Sequence, residues 1–233
     1  MPYGQVADIK MFYEVHGSGT PVVLIPGLGS NTRFFAGLAR KLAERRQVIV
    51  LDPRGAGRSD KPRGDYSIEQ MAQDVAGLMA TLQIATADVV GYSMGGKVAL
   101  QLAAVRPDLV DHLVLAVTDA RPKVTRRFSF RWFMMDVVSK ILRAVDPQPS
   151  YAFEAQRRAS EGFDGRELLP QVTARTLIIR ARGDRIVSAG DTAELCAIPG
   201  SELLDLPGGH ISMLQLHMPA FVDAVSSCLD SGH

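Results

Sequence analysis

Short runs of β-branched and other apolar residues alternate along the chain with longer stretches in which apolar positions recur every three or four residues. Val22-Val23-Leu24-Ile25 stops at Pro26-Gly27, and a second run from Gln47 to Leu51 is closed by Asp52-Pro53. Between them Thr32 to Arg46 has the helical period, with Asn31 or Thr32 placed to cap it. Ser67-Ile68-Glu69-Gln70 fits a capping box, in which the serine hydroxyl and the glutamine amide satisfy each other's free backbone N–H groups, and it opens a predicted amphipathic helix to Leu82. A strand from Ala87 to Gly91, a helix from Met94 to Val105 and a strand from His112 to Val117 follow. Beyond a long interval come a strand from Thr176 to Ala181, a helix from Ala189 to Cys196, a strand from Glu202 to Leu206 and a C-terminal helix. Strands that are apolar throughout and separated by helices predict an α/β protein, its mostly parallel sheet covered on both faces.

The interval from Ala120 to Ala174 interrupts this rhythm. Its 55 residues are too many for a structureless loop in a compact domain, so the segment is expected to carry helices of its own. Phe128 to Val145 has the helical stripe, with Trp132, Phe133 and Met135 among its apolar positions. The expected division is a core made of 1–119 and 175–233 and a short helical lid at 120–174. Trp132, Phe133 and Met135 then roof a substrate pocket or pack the lid onto the core.

Composition narrows the class. With 233 residues, 46% hydrophobic and 22% charged, the chain is an ordinary globular protein rather than a disordered or disulfide-built one. A net charge of +1 is far from the basic excess of a nucleic-acid binder. Cys196 and Cys228 show no metal-ligand or redox spacing, so buried reduced thiols are expected, with no metal and no cofactor. The N-terminal segment lacks the apolar core of a signal peptide, and no stretch approaches the ~18 apolar residues that span a bilayer. The expectation is a cytoplasmic protein acting on a small molecule, without nucleic-acid or membrane partners.

The strongest chemical signal is Gly91-Tyr92-Ser93-Met94-Gly95, a G-x-S-x-G between a predicted strand and a predicted helix. That context lifts a serine hydroxyl above the sheet edge on a strained turn, with small neighbours relieving the crowding. A serine needs a base to take its proton, and the base needs a third group to hold its tautomer. His210, in Pro207-Gly208-Gly209-His210 after the last predicted strand, is placed to be that base; His16, His112, His217 and His233 read as packing or surface residues. Asp184, in Arg182-Gly183-Asp184, is favoured as the acid, and Asp119, directly after an earlier strand, is its rival. An oxyanion formed on the substrate requires two N–H donors. Met94, at the start of a helix, supplies one, and Leu28 in Pro26-Gly27-Leu28-Gly29 is favoured for the other, although Pro-Gly alone is also a plain turn.

The loop 26–30, the segment Asp52-Pro53-Arg54-Gly55-Ala56-Gly57-Arg58-Ser59, the GYSMGG at 91–96, the turn at 182–184 and the GGH at 208–210 together resemble the α/β-hydrolase superfamily, in particular its small esterase, enol-lactonase and cofactor-free haloperoxidase-like group. The resemblance spans essentially the whole chain. It implies the α/β-hydrolase fold, Ser93 as nucleophile, His210 as base, Asp184 as acid, Leu28 and Met94 as oxyanion donors, and a helical cap inserted after the sixth strand. The family usually has His-Gly where this chain has Pro26-Gly27, and the cap is short for the family, implying a smaller or more open roof. A serine at the nucleophile position disfavours dehalogenase and epoxide-hydrolase chemistry. Ester, thioester, lactone and carbon–carbon bond hydrolysis remain, with a lyase acting on an acidic metabolite through the same triad as an alternative, alongside a non-catalytic binding scaffold.

Charge adds one clue about substrate. Residues 120–150 hold seven basic side chains, Arg126, Arg127 and Arg131 among them, against Asp136 and Asp146, a balance of +5 that leaves −4 for the rest of the chain. Either this segment steers an anionic substrate to the site, or its basic residues face solvent on an amphipathic helix.

Overall fold

A computed structural model describes residues 2–122 and 148–231. Trp132, Phe133, Met135 and the stripe from Phe128 to Val145 lie outside the described residues.

Eight strands form one sheet: β1 (Tyr3–Val6), β2 (Ile9–His16), β3 (Pro21–Ile25), β4 (Gln47–Leu51), β5 (Ala87–Tyr92), β6 (Val110–Ala116), β7 (Arg175–Ala181) and β8 (Glu202–Leu206). Their order is β1-β2-β4-β3-β5-β6-β7-β8, with β1 and β2 antiparallel and β3 to β8 parallel to one another. This is the α/β-hydrolase fold.

Alternation along the central strands builds two cores. Val23, Ile25, Ile49, Leu51, Leu113 and Leu115 face one cluster, with α2 (Ile68–Thr81) and α3 (Met94–Val105). The intervening Val22, Leu24, Val48, Val50, Val114 and Ala116 face the other, with α1 (Ala36–Leu42) and the C-terminal α7 (Met218–Asp230). Strands buried on both faces cannot alternate apolar with polar, which is why they read as continuous apolar runs. The chain moves from β3 to β4 on one side and from β4 past β3 to β5 on the other. The loops after β3 and β5 therefore diverge at the sheet's switch point, where ligands bind in open parallel sheets.

Ser67 Oγ accepts from Gln70 N at 3.1 Å and starts α2, and Asn31 rather than Thr32 caps the segment after β3, its side chain accepting from Arg33 N at 3.0 Å. That segment differs from the expected helix over 32–46: it is a 3₁₀ turn (Thr32–Phe35) followed by α1, which ends at Leu42. Arg46, beyond the helix, bonds Asp88 at 2.5 Å and Asp230 at 2.7 Å. The expected helix over 189–196 is α5 (Ala189–Ala193) with a 3₁₀ extension. From the interval between β6 and β7 the structure describes α4 (Ser150–Gly162) and a 3₁₀ segment (Arg166–Gln171). Ala155 and Ala159 of α4 join the cluster shared by α2 and α3. The thiols depart from expectation: Cys196 is exposed and Cys228 half-buried. Among the described residues no helix is long and apolar enough to cross a membrane.

The Asp52–Ser59 motif is a clamp between loops. Asp52, buried at the end of β4, accepts from Thr32 N and from Arg58 N, each at 2.7 Å. Gly57, at φ +52°, passes so close that a Cβ would lie 2.1 Å from the Asp52 carboxylate. The Arg54 guanidinium is 1% exposed and bonds Asp74 through Nε at 2.6 Å and through a terminal nitrogen at 2.7 Å, with Asp8 at 2.9 Å on its outer side. Asp74→Ala leaves this cation buried without its main partner and is expected to cost about 3–5 kcal/mol in urea unfolding. Asp8→Ala, at the exposed end, is expected to cost under ~1 kcal/mol.

Candidate active site

Ser93 sits between β5 and α3 with φ +55° and ψ −119°, a backbone that side chains other than glycine rarely adopt. The turn closes only because its neighbours lack side chains. A Cβ on Gly91 would lie 2.4 Å from the Gly95 carbonyl oxygen, and one on Gly95 would lie 2.1 Å from the Ile25 carbonyl oxygen. The strained residue is pinned to β6: its N–H donates to Ala116 O at 2.9 Å, and its carbonyl accepts from Thr118 Oγ1 at 2.7 Å.

The loops after β7 and β8 bring two more side chains to the same sheet edge. His210 Nε2 lies 2.8 Å from Ser93 Oγ, and His210 Nδ1 lies 2.8 Å from Asp184 Oδ2. An ionised carboxylate only accepts, so the hydrogen is on Nδ1, and Nε2 is left to accept from the serine hydroxyl. Asp184 Oδ1 accepts from Ile186 N at 2.7 Å and Val187 N at 3.0 Å. Burial pushes the Asp184 carboxyl up, but the hydrogen bond and charge of His210, with those two amides, outweigh it and hold the group below the ordinary carboxylate range. The two loops are also joined through backbone, Gly183 N donating to Gly208 O at 2.8 Å.

Asp119 lies at the same edge but turns elsewhere: its carboxylate pairs with the buried Lys97 ammonium at 2.9 Å. His112 is buried against Asp88 at 2.8 Å, and His217 caps the start of α7. Asp88, Asp111 and His112 form the group of metal-type ligands among the described residues. The Arg46 guanidinium, 2.5 Å from Asp88, already supplies the positive charge there.

Met94 is the first residue of α3, so its N–H has no acceptor in the preceding turn. The loop after β3, which carries Leu28, packs on Ser93: a Cβ on Gly27 would lie 3.2 Å from Ser93 Cβ and 3.8 Å from its Oγ.

Tyr92 was not singled out in the sequence, since the middle position of G-x-S accepts many residues. Its hydroxyl donates to the backbone carbonyl of His210. Burial, reinforced by the nearby Asp184 charge, pushes its pKa up, so the phenol stays a donor. Gln156 and Gln148 were also missed; a glutamine at a helical position carries no mark of being buried.

A family model described as alpha/beta hydrolase fold matches residues 20–148, more than half of the chain. The chain belongs to the alpha/beta hydrolase family. It is 30% identical to "Putative carbamate hydrolase RutD" of Azorhizobium caulinodans over 90% of this chain and 91% of that protein. The crystal structure of the enol-lactonase from Burkholderia xenovorans LB400 superposes with a TM-score of 0.87 and 28% identity, covering 98% of this chain and 99% of that one. A thermophilic esterase from Thermogutta terrifontis superposes with a TM-score of 0.83 and 26% identity over 95% and 93% of the two chains.

Because the folded-state pKa of Asp184 lies below its unfolded value of about 3.9, its contribution to stability is present above pH ~4 and is lost as pH falls through the folded value. Urea midpoints measured from pH 7 downward are expected to separate wild type from Asp184→Asn at neutral pH and to converge below pH ~4.

Proposed function

We propose that this hydrolase cleaves a small carboxylic ester or lactone through an acyl-enzyme on Ser93. Ser93 Oγ attacks the acyl carbon while its proton passes to His210 Nε2, and the Asp184 carboxylate stabilises the imidazolium that forms. The oxyanion is received by the N–H groups of Met94 and Leu28. Collapse breaks the bond to the leaving alkoxide, which takes the proton from Nε2. Water, deprotonated by His210, then attacks the acyl carbon and frees Ser93. These steps use only groups of this chain.

The observation that carries this proposal is the unbroken Ser93–His210–Asp184 chain, both links at 2.8 Å, assembled from three strand ends. The relatives, named as "Putative carbamate hydrolase RutD", an enol-lactonase and an esterase, are named for substrates with an acyl carbon bonded to oxygen, which supports this reading. The interval 120–174 is read as a cap over the site, with Trp132, Phe133 and Met135 lining the pocket. A second reading, hydrolysis of a carbon–carbon bond in an acidic substrate by the same three residues, is favoured by the +5 charge of residues 120–150.

Ser93→Ala is expected to abolish both hydrolysis of p-nitrophenyl acetate and fluorophosphonate labelling; label retained at another residue overturns the nucleophile, and a wild type that takes no label favours a binding scaffold. Asp184→Asn is expected to lower kcat by up to ~10⁴-fold, and Asp119→Asn by less than about tenfold per labelled site. Neutralising Arg126, Arg127 and Arg131 together is expected to raise KM for an acidic ester well above that for a neutral one, and an equal effect on both removes the steering role.

A further inference from the structure

Two glutamines of the interval between β6 and β7 are buried where leucine or methionine would fill the same space. Gln156, on α4, is 0% exposed, and Gln148, just before that helix, is 6% exposed. Buried primary amides persist where their hydrogen bonds are needed, and here, apart from the bond between the two amides, the partners are backbone groups of two loops that border the site. Gln156 Nε2 donates to Arg54 O at 2.7 Å, and its Oε1 accepts from Gly29 N at 3.2 Å and from Gln148 Nε2 at 3.0 Å. Gln148 Nε2 also donates to Gly55 O at 2.7 Å.

The orientation of both amides follows from these partners. Arg54 and Gly55 present carbonyl oxygens, so a nitrogen must face each of them, and Gln156 Oε1 is thereby turned to the Gly29 N–H. Gln148 commits both amide hydrogens to this arrangement, and its own buried Oε1 has no hydrogen-bond partner among the described residues.

The consequence falls on the loop after β3. Ser30 N donates to Gly27 O at 3.1 Å, closing a turn whose third residue, Gly29, has φ +70°. A Cβ at Gly29 would press on the Phe153 ring of α4 at 3.0 Å. The turn consumes the Ser30 N–H and Gln156 consumes the Gly29 N–H. The Leu28 N–H is left without an acceptor among the described residues.

We propose that Gln156, braced by Gln148, is a positioning residue for the oxyanion site: it hangs the Gly27–Ser30 turn from α4 and so aims the Leu28 N–H at the acyl oxygen. This rests on Leu28 being an oxyanion donor. It also makes hydrolysis depend on the seating of a helix from the inserted interval.

Gln156→Met keeps the volume and removes the acceptor. Against p-nitrophenyl acetate it is expected to lower kcat per fluorophosphonate-titrated serine by about 10- to 100-fold, with KM within about twofold and affinity for phenylboronic acid, which forms a tetrahedral adduct, falling in parallel. Amide exchange at Gly29 is expected to speed up in Gln156→Met. Unchanged kcat per titrated serine, or Gly29 exchange no faster than in wild type, overturns the proposal. Should Gln156→Met not fold, Gln148→Met reads the same device, with a fall of about 3- to 10-fold in kcat at constant KM expected and no fall overturning it. A wild type that neither hydrolyses nor takes label overturns the hydrolase reading itself, and Gly29 exchange then decides separately whether Gln156 holds the turn.

Discussion

The site depends on a steric constraint at one residue. Ser93 adopts a positive φ at the junction of β5 and α3, a conformation that costs on the order of 1–3 kcal/mol for a side chain with a Cβ and persists only where the surroundings over-determine it. Those surroundings are the absent side chains of Gly91 and Gly95 and the bonds from Ser93 to Ala116 and Thr118. The same turn holds the Ser93 hydroxyl within 2.8 Å of His210, starts α3 at Met94, and lies against the loop after β3. Relaxing that backbone would disturb all three contacts together.

Around this turn the parallel register does the gathering. Strands β3, β5, β7 and β8 end at one edge, so residues separated by as many as 117 positions meet there within 2.8 Å. Tyr92 adds a tie, since the residue before Ser93 donates to the backbone of His210. Ser93 and His210 are thereby held by one strand as well as by their own contact. The turn that carries Leu28 is tied in a different way, through the buried amide of Gln156 on a helix outside the sheet.

Buried charges show why residue type alone was a poor guide. Asp119 and Asp184 both follow a parallel strand, and from sequence the choice between them rested on position. Asp119 faces Lys97, one turn into α3, and Asp184 faces His210. Arg46, Arg54, Asp52 and Asp88 are likewise each held in a structural pair or clamp. Such pairs are invisible to periodicity because the partners lie in elements far apart along the chain.

Local physics made the strands, the glycine-flanked serine, the capping serine of α2 and the Gly-rich loop of His210 legible in the sequence, because each is dictated by steric or hydrogen-bond demands within a few residues. The helix expected over 32–46 is shorter, a 3₁₀ turn followed by α1 ending at Leu42, and the ion pairs of Arg46 with Asp88 and Asp230 carry no mark in the local period. Tyr92, Gln148 and Gln156 could not be found this way, since their roles exist only once β8 and α4 are folded over the loops they hold. The fold and the candidate residues at the sheet edge were readable from local pattern, whereas which carboxylate faces His210 and which amide holds the turn beneath α4 emerged only with tertiary contacts, because those join elements that the closing of the sheet and its two cores brings together.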